Sequence, residues 1–354
     1  MRILLVENGF NDLKKSRVPL GSYFQALGNE VFYACPDPKE AGIFNISMSR
    51  NSLAPIQLIN GFGRLNRLEK ENTIQAVLSF RFIPNVLNYL ASFRNGGVKR
   101  VAVITGLGYA FITANNSINA IIQRSLIKIF YRVASRRVQI VAQNPDDLTD
   151  LGVKNGRVVL GSGVERTALK ASQVIHTDSL KLLYVGRLLK SKGINTTISI
   201  FEKLKLRNIS VSLTIAGTID EDNPDSITEA ELSKLKSKAG VNYLGFVSDL
   251  DSLYQECNVL LYPSIYREGV PRVILEALKH RLTIVTRDMP GCKETINGNG
   301  YSINEEDGVE GAIEYLLSLD PKKILENSMK SREFFESTFC ADVIYPQYLS
   351  YLTE

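Results

Sequence analysis

Short apolar runs alternate with amphipathic stretches along the whole chain. The runs are nearly continuous in Val, Ile and Leu, as is typical of parallel strands that helices cover on both faces. Strands are predicted at Ile3–Val6, Glu30–Ala34, Ala76–Ser79, Val101–Thr105 and Gln139–Ala142, then at Leu182–Val185, Leu213–Ala216, Asn242–Leu244, Val259–Tyr262 and Thr283–Thr286. The pattern therefore indicates an α/β protein made of two doubly wound, Rossmann-like parallel sheets in series.

Two domains also suit the length of 354 residues, which exceeds that of one ordinary domain. The boundary is predicted around Gly161-Ser162-Gly163, where a stretch rich in Ala, Ser and Thr begins and runs to Ser179. We therefore assign residues 1–165 to the first domain, 166–333 to the second, and 334–354 to a C-terminal segment.

Composition narrows the class of protein. No apolar run reaches the ~18 residues that a membrane span needs, and the N-terminal run is too short and ends too acidically for a signal peptide. The four cysteines lie far apart, so we expect reduced thiols, with neither a disulfide framework nor a metal site. These features predict a cytoplasmic protein.

Charge is distributed unevenly. Residues 1–165 carry 20 Lys and Arg against 11 Asp and Glu, a balance of +9, whereas residues 166–354 carry 22 against 26, a balance of −4. A basic first half indicates an anionic partner. The chain has no basic–aromatic nucleic-acid motif, so an anionic membrane surface or a phosphorylated acceptor is the expected partner, and nucleic acid is not.

Two carboxylates mark a candidate site in the second half. Glu268 lies in the loop after the strand Val259–Tyr262, and Glu276 lies in the first turns of a helix that begins near Pro271. Ligands of open α/β sheets bind in such strand–loop–helix crevices. Both carboxylates can therefore face one ligand at the helix N-terminus.

Two cations accompany this pair. Arg187 follows Gly186 at the end of an earlier strand, and Lys192 precedes Gly193 at the start of a helix. Cations beside a helix N-terminus suit a diphosphate, and carboxylates suit sugar hydroxyls. Together they predict a nucleotide-sugar site.

Each of these features also has an ordinary structural interpretation. Arg187 and Lys192 could belong to a solvated turn after a strand. Glu276 could be a helix carboxylate in a salt bridge with Lys279 or His280. The combination of cations and carboxylates favours the site.

Four segments connect these residues to a known family. They are Gly186-Arg187 with Lys192-Gly193; Ala216-Gly217 followed by Asp220-Glu221-Asp222-Asn223-Pro224; Tyr243-Leu244-Gly245-Phe246 with Ser248-Asp249; and Tyr262-Pro263-Ser264 through Glu268 and Glu276 to Pro290-Gly291-Cys292-Lys293-Glu294-Thr295. With these segments the chain resembles retaining glycosyltransferases of the GT-B fold, in the group called family 4. It is most similar to the bacterial members that extend polyprenyl-diphosphate-linked sugars for surface glycans.

The resemblance implies roles for single residues. The residue that matches Glu268 contacts the transferred sugar, the one that matches Glu276 contacts the ribose, and those that match Arg187 and Lys192 hold the diphosphate. The expected donor-binding residues are Gly186, Arg187, Lys192, Phe246, Glu268, Gly269, Val270 and Glu276, of which Glu268, Arg187 and Lys192 are expected to be catalytic. The family fold also implies two domains that face each other across a cleft, with residues 334–354 crossing back to the first.

The first half resembles the same family more loosely. Arg17 lies in a segment that lines the cleft in relatives, and Gly106, Gly108 and Tyr109 match a glycine-rich run after the fourth strand. An ordinary tight turn explains each of them equally well. We assign Arg17, Arg81, Gly106, Gly108 and Tyr109 to the acceptor side.

One position departs from the family. Many relatives carry a His in the loop after the third strand, where this chain has Phe82 as the expected equivalent and Arg81 as a speculative substitute. The only histidines are His176, in the linker, and His280, at the end of a helix. Retention then fits a same-face mechanism in which the leaving phosphate takes the acceptor proton.

A basic amphipathic helix is predicted at residues 119–138. Arg124, Lys128, Arg132 and Arg136 recur every four residues, with Arg137 beside them, and Ile122, Leu126, Ile129, Phe130 and Val133 occupy another face. Such a helix docks on anionic lipid, or it packs in the core with a solvated charged face. The stretch Ser52–Leu68 could add an apolar lip or belong to the core.

Two acidic triplets, Asp220-Glu221-Asp222 and Asp249-Leu250-Asp251, have the outline of a metal-binding Asp-x-Asp. We interpret the first as a loop and the second as a helix N-terminus, because the two cations already suit the diphosphate. Neither a metal nor another cofactor is expected.

The sequence therefore predicts a peripheral enzyme on the inner face of the plasma membrane. It would move a hexose or N-acetylhexosamine from a UDP-sugar to a lipid-linked glycan precursor of the O-antigen or capsule type, with retention. The alternatives are a mannosyltransferase that uses GDP-mannose and a catalytically silent nucleotide-sugar-binding protein.

Overall fold

The computed structural model describes residues 1–48, 54–112, 117–166 and 179–353. His176, Leu53 and most of the linker after Gly163 lie outside the described residues. The chain divides into two compact units: unit 1 comprises Met1–Glu165 and Cys340–Glu354, and unit 2 comprises Arg166–Phe339.

Unit 1 contains a seven-stranded sheet in which every strand pair is parallel. Its strands are β1 (Arg2–Val6), β2 (Glu30–Cys35), β3 (Ile43–Asn45), β4 (Ala76–Phe80), β5 (Lys99–Ile104), β6 (Gln139–Ala142) and β7 (Arg157–Val158). The spatial order is β3-β2-β1-β4-β5-β6-β7. The order of connection reverses between β1 and β4, which makes their carboxyl ends the switch point where ligands bind in such sheets.

Helices cover both faces of this sheet. They are α1 (Phe10–Asp12), a π-helical turn (Leu13–Arg17), α2 (Val18–Ala26), α3 (Pro55–Glu71), α4 (Phe82–Ala91), a 3-10 turn (Tyr109–Phe111), α5 (Ile118–Ala134) and α6 (Pro145–Leu151). One apolar cluster joins α3 and α4 to the sheet and another joins α5 and α6. Helix α2 packs in a further cluster that also holds the end of the chain.

Unit 2 contains a six-stranded, fully parallel sheet. Its strands are β8 (Leu180–Val185), β9 (Val211–Ala216), β10 (Val241–Gly245), β11 (Val259–Tyr262), β12 (Thr283–Arg287) and β13 (Gly300–Ile303), in the order β10-β9-β8-β11-β12-β13. The switch point lies between β8 and β11. The prediction of two Rossmann-like parallel sheets is confirmed.

The helical elements of unit 2 lie between and after these strands. They are a 3-10 turn (Lys190–Lys192), α7 (Ile194–Leu206), α8 (Glu229–Lys236), α9 (Asp251–Glu256), α10 (Arg272–Lys279), a 3-10 turn (Lys293–Thr295), α11 (Gly308–Leu317), α12 (Pro321–Phe334) and a π-helical turn (Phe335–Phe339). The last helix, α13 (Ala341–Thr353), belongs to unit 1. Its Ile344, Tyr345 and Tyr348 are buried in the cluster that contains α2.

Strands β3, β7 and β13 have no counterpart among the predicted strands. Each is the edge strand of its sheet, and each has two to four residues. An edge strand pairs on one side only and stays partly exposed, so it needs no continuous aliphatic run. The sequence pattern therefore identified the central strands and one edge strand, β10, and missed the other three edges.

Candidate functional site

The predicted donor residues of unit 2 gather at the carboxyl ends of β8 and β11. Arg187 follows β8 after Gly186, and Glu268 lies in the loop after β11. Because these two strands are neighbours at the switch point, the loops that follow them lie side by side at the carboxyl-terminal end of the sheet. The strand pairing thus brings together residues that are far apart in sequence.

Lys192, Tyr262 and Glu268 form a compact group at this end of the sheet. Lys192 Nζ lies 2.9 Å from Glu268 Oε1 and donates to the Tyr262 hydroxyl at 2.9 Å. The Tyr262 hydroxyl in turn donates to Glu268 Oε1 at 2.6 Å. The Lys192 and Glu268 side chains are only 14% and 18% exposed. Lys192, which is predicted to bind the diphosphate, and Glu268, which is predicted to bind the transferred sugar, are therefore in direct contact.

A glycine and a carboxylate fix the turn that carries Lys192. Gly193 has φ +84°, and a Cβ there would lie 2.4 Å from the Pro263 carbonyl oxygen, so the turn presses directly against the end of β11. On its other side, Asp225 Oδ2 accepts from the Ser191 backbone N–H at 3.0 Å and from the Ser191 hydroxyl. Helix α7 starts at the next residue, Ile194, so its N-terminus lies beside Lys192.

Arg187 pairs with an acidic residue that we had assigned to a structural loop. Its Nη1 lies 2.5 Å from Asp220 Oδ2, and the two side chains are 50% and 28% exposed. Asp220 thus orients a guanidinium that remains accessible to a ligand. The first acidic triplet contributes to the site by holding Arg187.

Glu276 has partners other than those expected. Its Oε1 accepts from Arg272 Nε at 2.8 Å, one helical turn earlier, and its Oε2 accepts from the Tyr254 hydroxyl at 3.3 Å. Glu276 is thus a helix carboxylate in a salt bridge, with Arg272 as its partner, whereas Lys279 and His280, the partners that the structural interpretation named, contact Asp251 of α9. The carboxylate is nearly buried, so Arg272 and Tyr254 fix its position.

The other end of α10 is tied to the second acidic triplet. Asp251 Oδ1 lies 2.9 Å from His280 Nε2 and 3.4 Å from Lys279 Nζ. Burial lowers the pKa of His280 despite the hydrogen bond to Asp251. Although burial alone would raise it, the pKa of Asp251 is lowered by His280 and Lys279 together. His280 also stacks on Tyr254 at 5.4 Å, which explains it as a structural residue.

The loop after Glu268 is pressed against a second loop. A Cβ on Gly291, whose φ is +88°, would lie 1.7 Å from the Gly269 carbonyl oxygen and 2.7 Å from that of Glu268. Val270 is buried at the start of α10, whereas Phe246 is 79% exposed beyond β10. The roles of Gly269, Val270 and Phe246 toward a donor stay predictions.

Unit 1 has a charged group at its own switch point. Glu7 follows β1 and is fully buried; its Oε2 accepts from Arg17 Nε at 2.8 Å, and its Oε1 lies 3.3 Å from Arg81 Nε. Arg17 also stacks at 3.5 Å on the ring of Phe80. Arg81 reaches Asp12 at 2.9 Å and has φ +73°, an uncommon conformation for a residue with a side chain. The structure thus brings the predicted acceptor residues Arg17 and Arg81 together.

Phe82 is partly buried and packs against the apolar core of unit 1. Its ring packs on Phe130 at 5.3 Å and on Tyr131 at 6.0 Å. The side chain at the position expected to replace the family His therefore lies in the apolar cluster under α5. Gly106 and Gly108 have φ of +108° and +73°, and Tyr109 after them is exposed.

Helix α5 presents aliphatic side chains to the outside. Six of them are between 41% and 74% exposed. They are Ile118, Ile121, Ile122, Leu126, Ile129 and Val133. The face that packs on the domain contains Ala120, Tyr131 and Ala134, and Phe130 packs inward with them.

Basic side chains flank this aliphatic face. Arg132 Nε donates to the Leu151 carbonyl at 2.9 Å, Lys128 Nζ lies 6.0 Å from the Phe111 ring, and Arg137 stacks on Phe93 at 4.3 Å. Helix α5 thus combines a face that packs on the core of unit 1 with an exposed face that is largely aliphatic. Among the described residues no helix is long and apolar enough to cross a membrane.

Sequence reasoning missed the residues that position the predicted ones: Tyr262, Tyr254, Asp225, Arg272 and Glu7. Arg272 could have been found, because it precedes Glu276 by four positions on one helix. Glu7 also had a signal, as a carboxylate directly after a buried strand. The other three contact their partners only through the tertiary fold.

Comparison with known proteins agrees with this geometry. Residues 165–332 match the family described as glycosyl transferases group 1. The chain is 25% identical, over 99% of its length and 97% of the relative's, to N,N'-diacetylbacillosaminyl-diphospho-undecaprenol alpha-1,3-N-acetylgalactosaminyltransferase of Campylobacter jejuni. It is 28% identical, over 48% of its length and 45% of the relative's, to the capsular polysaccharide biosynthesis glycosyltransferase CapM of Staphylococcus aureus.

Solved structures share the fold over the full chain. Sucrose-phosphate synthase from Thermosynechococcus elongatus superposes with a TM-score of 0.77 at 16% identity, covering 99% of this chain and 98% of that one. HepE of Anabaena, solved with UDP, gives 0.76 at 17% identity and covers all of both chains. The chain therefore has the GT-B fold, and its residues 165–332 are similar to the group 1 glycosyl transferases.

Proposed function

We propose that this protein is a retaining enzyme that moves a hexose or N-acetylhexosamine from a UDP-sugar to a polyprenyl-diphosphate-linked precursor of a surface polysaccharide. The observation that carries the proposal is the contact of Lys192 with Glu268 at the switch point of unit 2. Arg187 lies at the same carboxyl-terminal end of the sheet. The acceptor class is supported by the Campylobacter relative, whose name specifies a diphospho-undecaprenol-linked sugar and whose similarity spans nearly the whole chain.

The donor-side roles follow from charge. Negative charge grows on the leaving diphosphate as the sugar–phosphate bond breaks, and fixed cations stabilise that charge most in the transition state. Arg187 and Lys192, beside the N-terminus of α7, fit this task. Glu268 accepts hydrogen bonds from hydroxyls of the transferred sugar, and Glu276 accepts them from the ribose.

The transfer step proposed here keeps the anomeric configuration. The acceptor hydroxyl oxygen bonds to the anomeric carbon on the face from which the phosphate leaves. The carbon–oxygen bond to that phosphate breaks, and the hydroxyl proton passes to the leaving phosphate oxygen. Phe82, which stands where relatives carry a His, has no group that can take a proton, and this supports a step in which the phosphate takes it.

On the acceptor side we assign binding to Arg17, Arg81, Gly106, Gly108 and Tyr109 of unit 1. Arg81 is the most accessible cation of the group around Glu7, and its planar fork suits a phosphate. The glycines allow a ligand to approach the backbone closely. In an acceptor with a single sugar on its diphosphate, the reacting hydroxyl belongs to that sugar. The phosphate and the reacting hydroxyl are therefore separated by the length of one sugar.

Residence on the inner face of the plasma membrane is part of the proposal. The aliphatic face of α5 suits the acyl boundary of a bilayer, and Arg124, Lys128, Arg132 and Arg136 suit anionic headgroups. Each cation near such a surface contributes about 1 kcal/mol, and each buried methylene about 0.8 kcal/mol. Several shallow contacts together thus give reversible membrane binding.

Vesicle co-sedimentation tests the membrane surface. Ile122→Asp should abolish binding to phosphatidylglycerol vesicles, and raised salt should weaken binding of the unaltered protein. Leu206→Asp is the matched control, because Leu206 is 81% exposed at the end of α7 in unit 2. Equal binding by both variants would exclude α5 as the docking surface.

Nucleotide release tests the enzyme activity. The protein is incubated with UDP-, GDP- and ADP-sugars, with and without a polyprenyl-diphosphate-linked sugar, beside Glu268→Ala. Glu310→Ala is the control, because Glu310 pairs with Lys203 at 2.9 Å on the surface of unit 2. We expect release from one UDP-sugar, stimulated by the acceptor, lost in Glu268→Ala and kept in the control. NMR of the product should give an unchanged anomeric configuration.

The same assay separates the alternatives. Release from GDP-mannose alone would identify a mannosyltransferase. Binding of a nucleotide-sugar without release from any donor, with or without acceptor, would favour a catalytically silent binding protein.

A further inference from the structure

The Tyr262 hydroxyl contacts both Lys192 and Glu268, the two charged groups at the centre of the donor site. We propose that Tyr262 is a positioning residue. Its hydroxyl holds the Glu268 carboxylate in the orientation that binds the transferred sugar, while Lys192 binds the diphosphate. The inference rests on the proposed function of this site. It concerns how the site is held together rather than which donor it takes.

The geometry gives Tyr262 two partners at once. Its hydroxyl donates to Glu268 Oε1 at 2.6 Å and accepts from Lys192 Nζ at 2.9 Å. Lys192 approaches the same carboxylate oxygen at 2.9 Å. Two donors therefore converge on a single oxygen of Glu268, and they fix the rotation of its carboxylate.

The tyrosine is rigid and stays protonated. Tyr262 is buried at the end of β11, and its ring stacks on Tyr184 at 6.4 Å, whose hydroxyl donates to the Arg187 carbonyl at 2.9 Å. Burial, and then the charge of Glu268, raises the pKa of Tyr262 well above its usual value. The hydroxyl is thus a permanent donor toward Glu268 at physiological pH.

Lys192 alone does not keep Glu268 in place during the reaction. A bound diphosphate shares the three N–H groups of the Lys192 ammonium with Tyr262 and Glu268, and its negative charge attracts the ammonium away from Glu268. As Lys192 turns toward the phosphate, its contact with Glu268 weakens. The hydrogen bond from Tyr262 does not depend on the phosphate, so it keeps Glu268 in place when the sugar is bound.

The test is Tyr262→Phe, which removes the hydroxyl and keeps the ring. A hydrogen bond to a charged group corresponds to a loss of about tenfold to a hundredfold, and we expect this loss in kcat/KM and in affinity for the intact UDP-sugar. Affinity for UDP alone should change by less than about threefold, since Arg187 and Lys192 remain. Tyr315→Phe is the matched control: it removes a hydroxyl bonded to Asn327 at 2.9 Å on α11 and should alter neither quantity.

A double-mutant cycle with Glu268→Ala separates positioning from general damage, because Ala removes the acceptor of the Tyr262 hydrogen bond. Measured by calorimetry on the intact UDP-sugar, Tyr262→Phe should have much less effect in the Glu268→Ala background than in the unaltered protein. An equal effect in both backgrounds, or an equal loss of UDP affinity, overturns the inference. Binding does not require turnover, so a protein that binds the donor but transfers nothing refutes the proposed reaction while this cycle still decides the role of Tyr262. Failure to bind any nucleotide-sugar overturns both.

Discussion

Arg187 and Lys192 are both assigned to the donor diphosphate, yet their surroundings differ, and this difference yields a prediction with two readouts. The Arg187–Asp220 pair is 50% and 28% exposed, whereas the Lys192–Glu268 pair is 14% and 18% exposed. Lys192 also donates to the hydroxyl of Tyr262. Replacing either cation with Ala should lower activity, but only Lys192→Ala should also destabilise the fold.

The magnitudes follow from these contacts. One charge-assisted hydrogen bond to the diphosphate is worth about 1.5–3 kcal/mol, so each variant should lose roughly 10- to 150-fold in kcat/KM. A half-exposed ion pair such as Arg187–Asp220 contributes about 0–1 kcal/mol to stability. Removal of Lys192 withdraws a partner from Tyr262 and Glu268 in a mostly buried place, which should cost about 1–3 kcal/mol. For a domain of this size each kcal/mol lowers Tm by about 2–4 °C.

Steady-state kinetics with the UDP-sugar and differential scanning calorimetry measure the two effects. Lys203→Ala is the control, because Lys203 pairs with Glu310 at 2.9 Å where both side chains are half exposed, and it should change neither activity nor Tm. The reasoning is wrong if Arg187→Ala and Lys192→Ala have the same Tm. Full activity of either variant would remove that residue from the diphosphate site.

Three further predictions concern neighbouring residues. Gly291→Ala should abolish donor binding in calorimetry, because its Cβ would fall 1.7 Å from the Gly269 carbonyl oxygen; Gly298→Ala, with φ +70° but no atom nearer than 3.6 Å, should bind donor normally. Because burial lowers the pKa of His280, the unfolded chain binds that proton more tightly, and stability to urea should fall as pH drops below 6.5; His280→Gln should flatten this decline, and an unchanged slope would contradict the assignment. Burial, with Glu268 nearby, raises the pKa of the Cys292 thiol to about 12, so iodoacetamide at neutral pH should label it only after unfolding, as peptide mass mapping would reveal.

The fold was predictable because its signal is local. Each central strand is a buried aliphatic run, and each can be read without knowledge of its neighbours, as Val259–Tyr262 and Gln139–Ala142 illustrate. Edge strands such as β3 are stabilised by the partner strand rather than by their own burial. Three of the four edge strands, β3, β7 and β13, were therefore missed, although the architecture was correct.

The site was predictable only as far as its charged residues follow strands or start helices. Arg187, Lys192 and Glu268 occupy such positions. Their partners come from the tertiary fold: Tyr262 meets Lys192 across a separation of 70 positions in the chain, and Tyr254 meets Glu276 from another helix. The pattern of a sequence does not encode which buried hydroxyl will face which carboxylate.

The aliphatic face of α5 is exposed, although the apolar face of an amphipathic helix usually packs on the core. The sequence could not predict this exposure, for a different reason. Its periodicity is that of an amphipathic helix, and periodicity cannot tell whether the apolar side faces the core or another medium. In unit 1 the core already has Ala120, Tyr131 and Ala134 from this helix, which leaves the remaining aliphatic residues outside. Surplus apolar surface beside cations is typical of a helix that lies in a membrane interface.

At both switch points a neighbouring side chain orients a charged residue, but the carboxylates of the two sites differ in burial. In unit 1 the carboxylate of Glu7 is fully buried and holds Arg17 and Arg81. A carboxylate so enclosed is held by the cations beside it. Glu7 therefore orients the arginines, and Arg81, whose side chain is 36% exposed, is the one proposed to contact the acceptor. In unit 2 the carboxylate of Glu268, which is 18% exposed, is instead held by the buried hydroxyl of Tyr262. In each unit a buried neighbour thus orients a partly exposed charged residue at the end of a central strand.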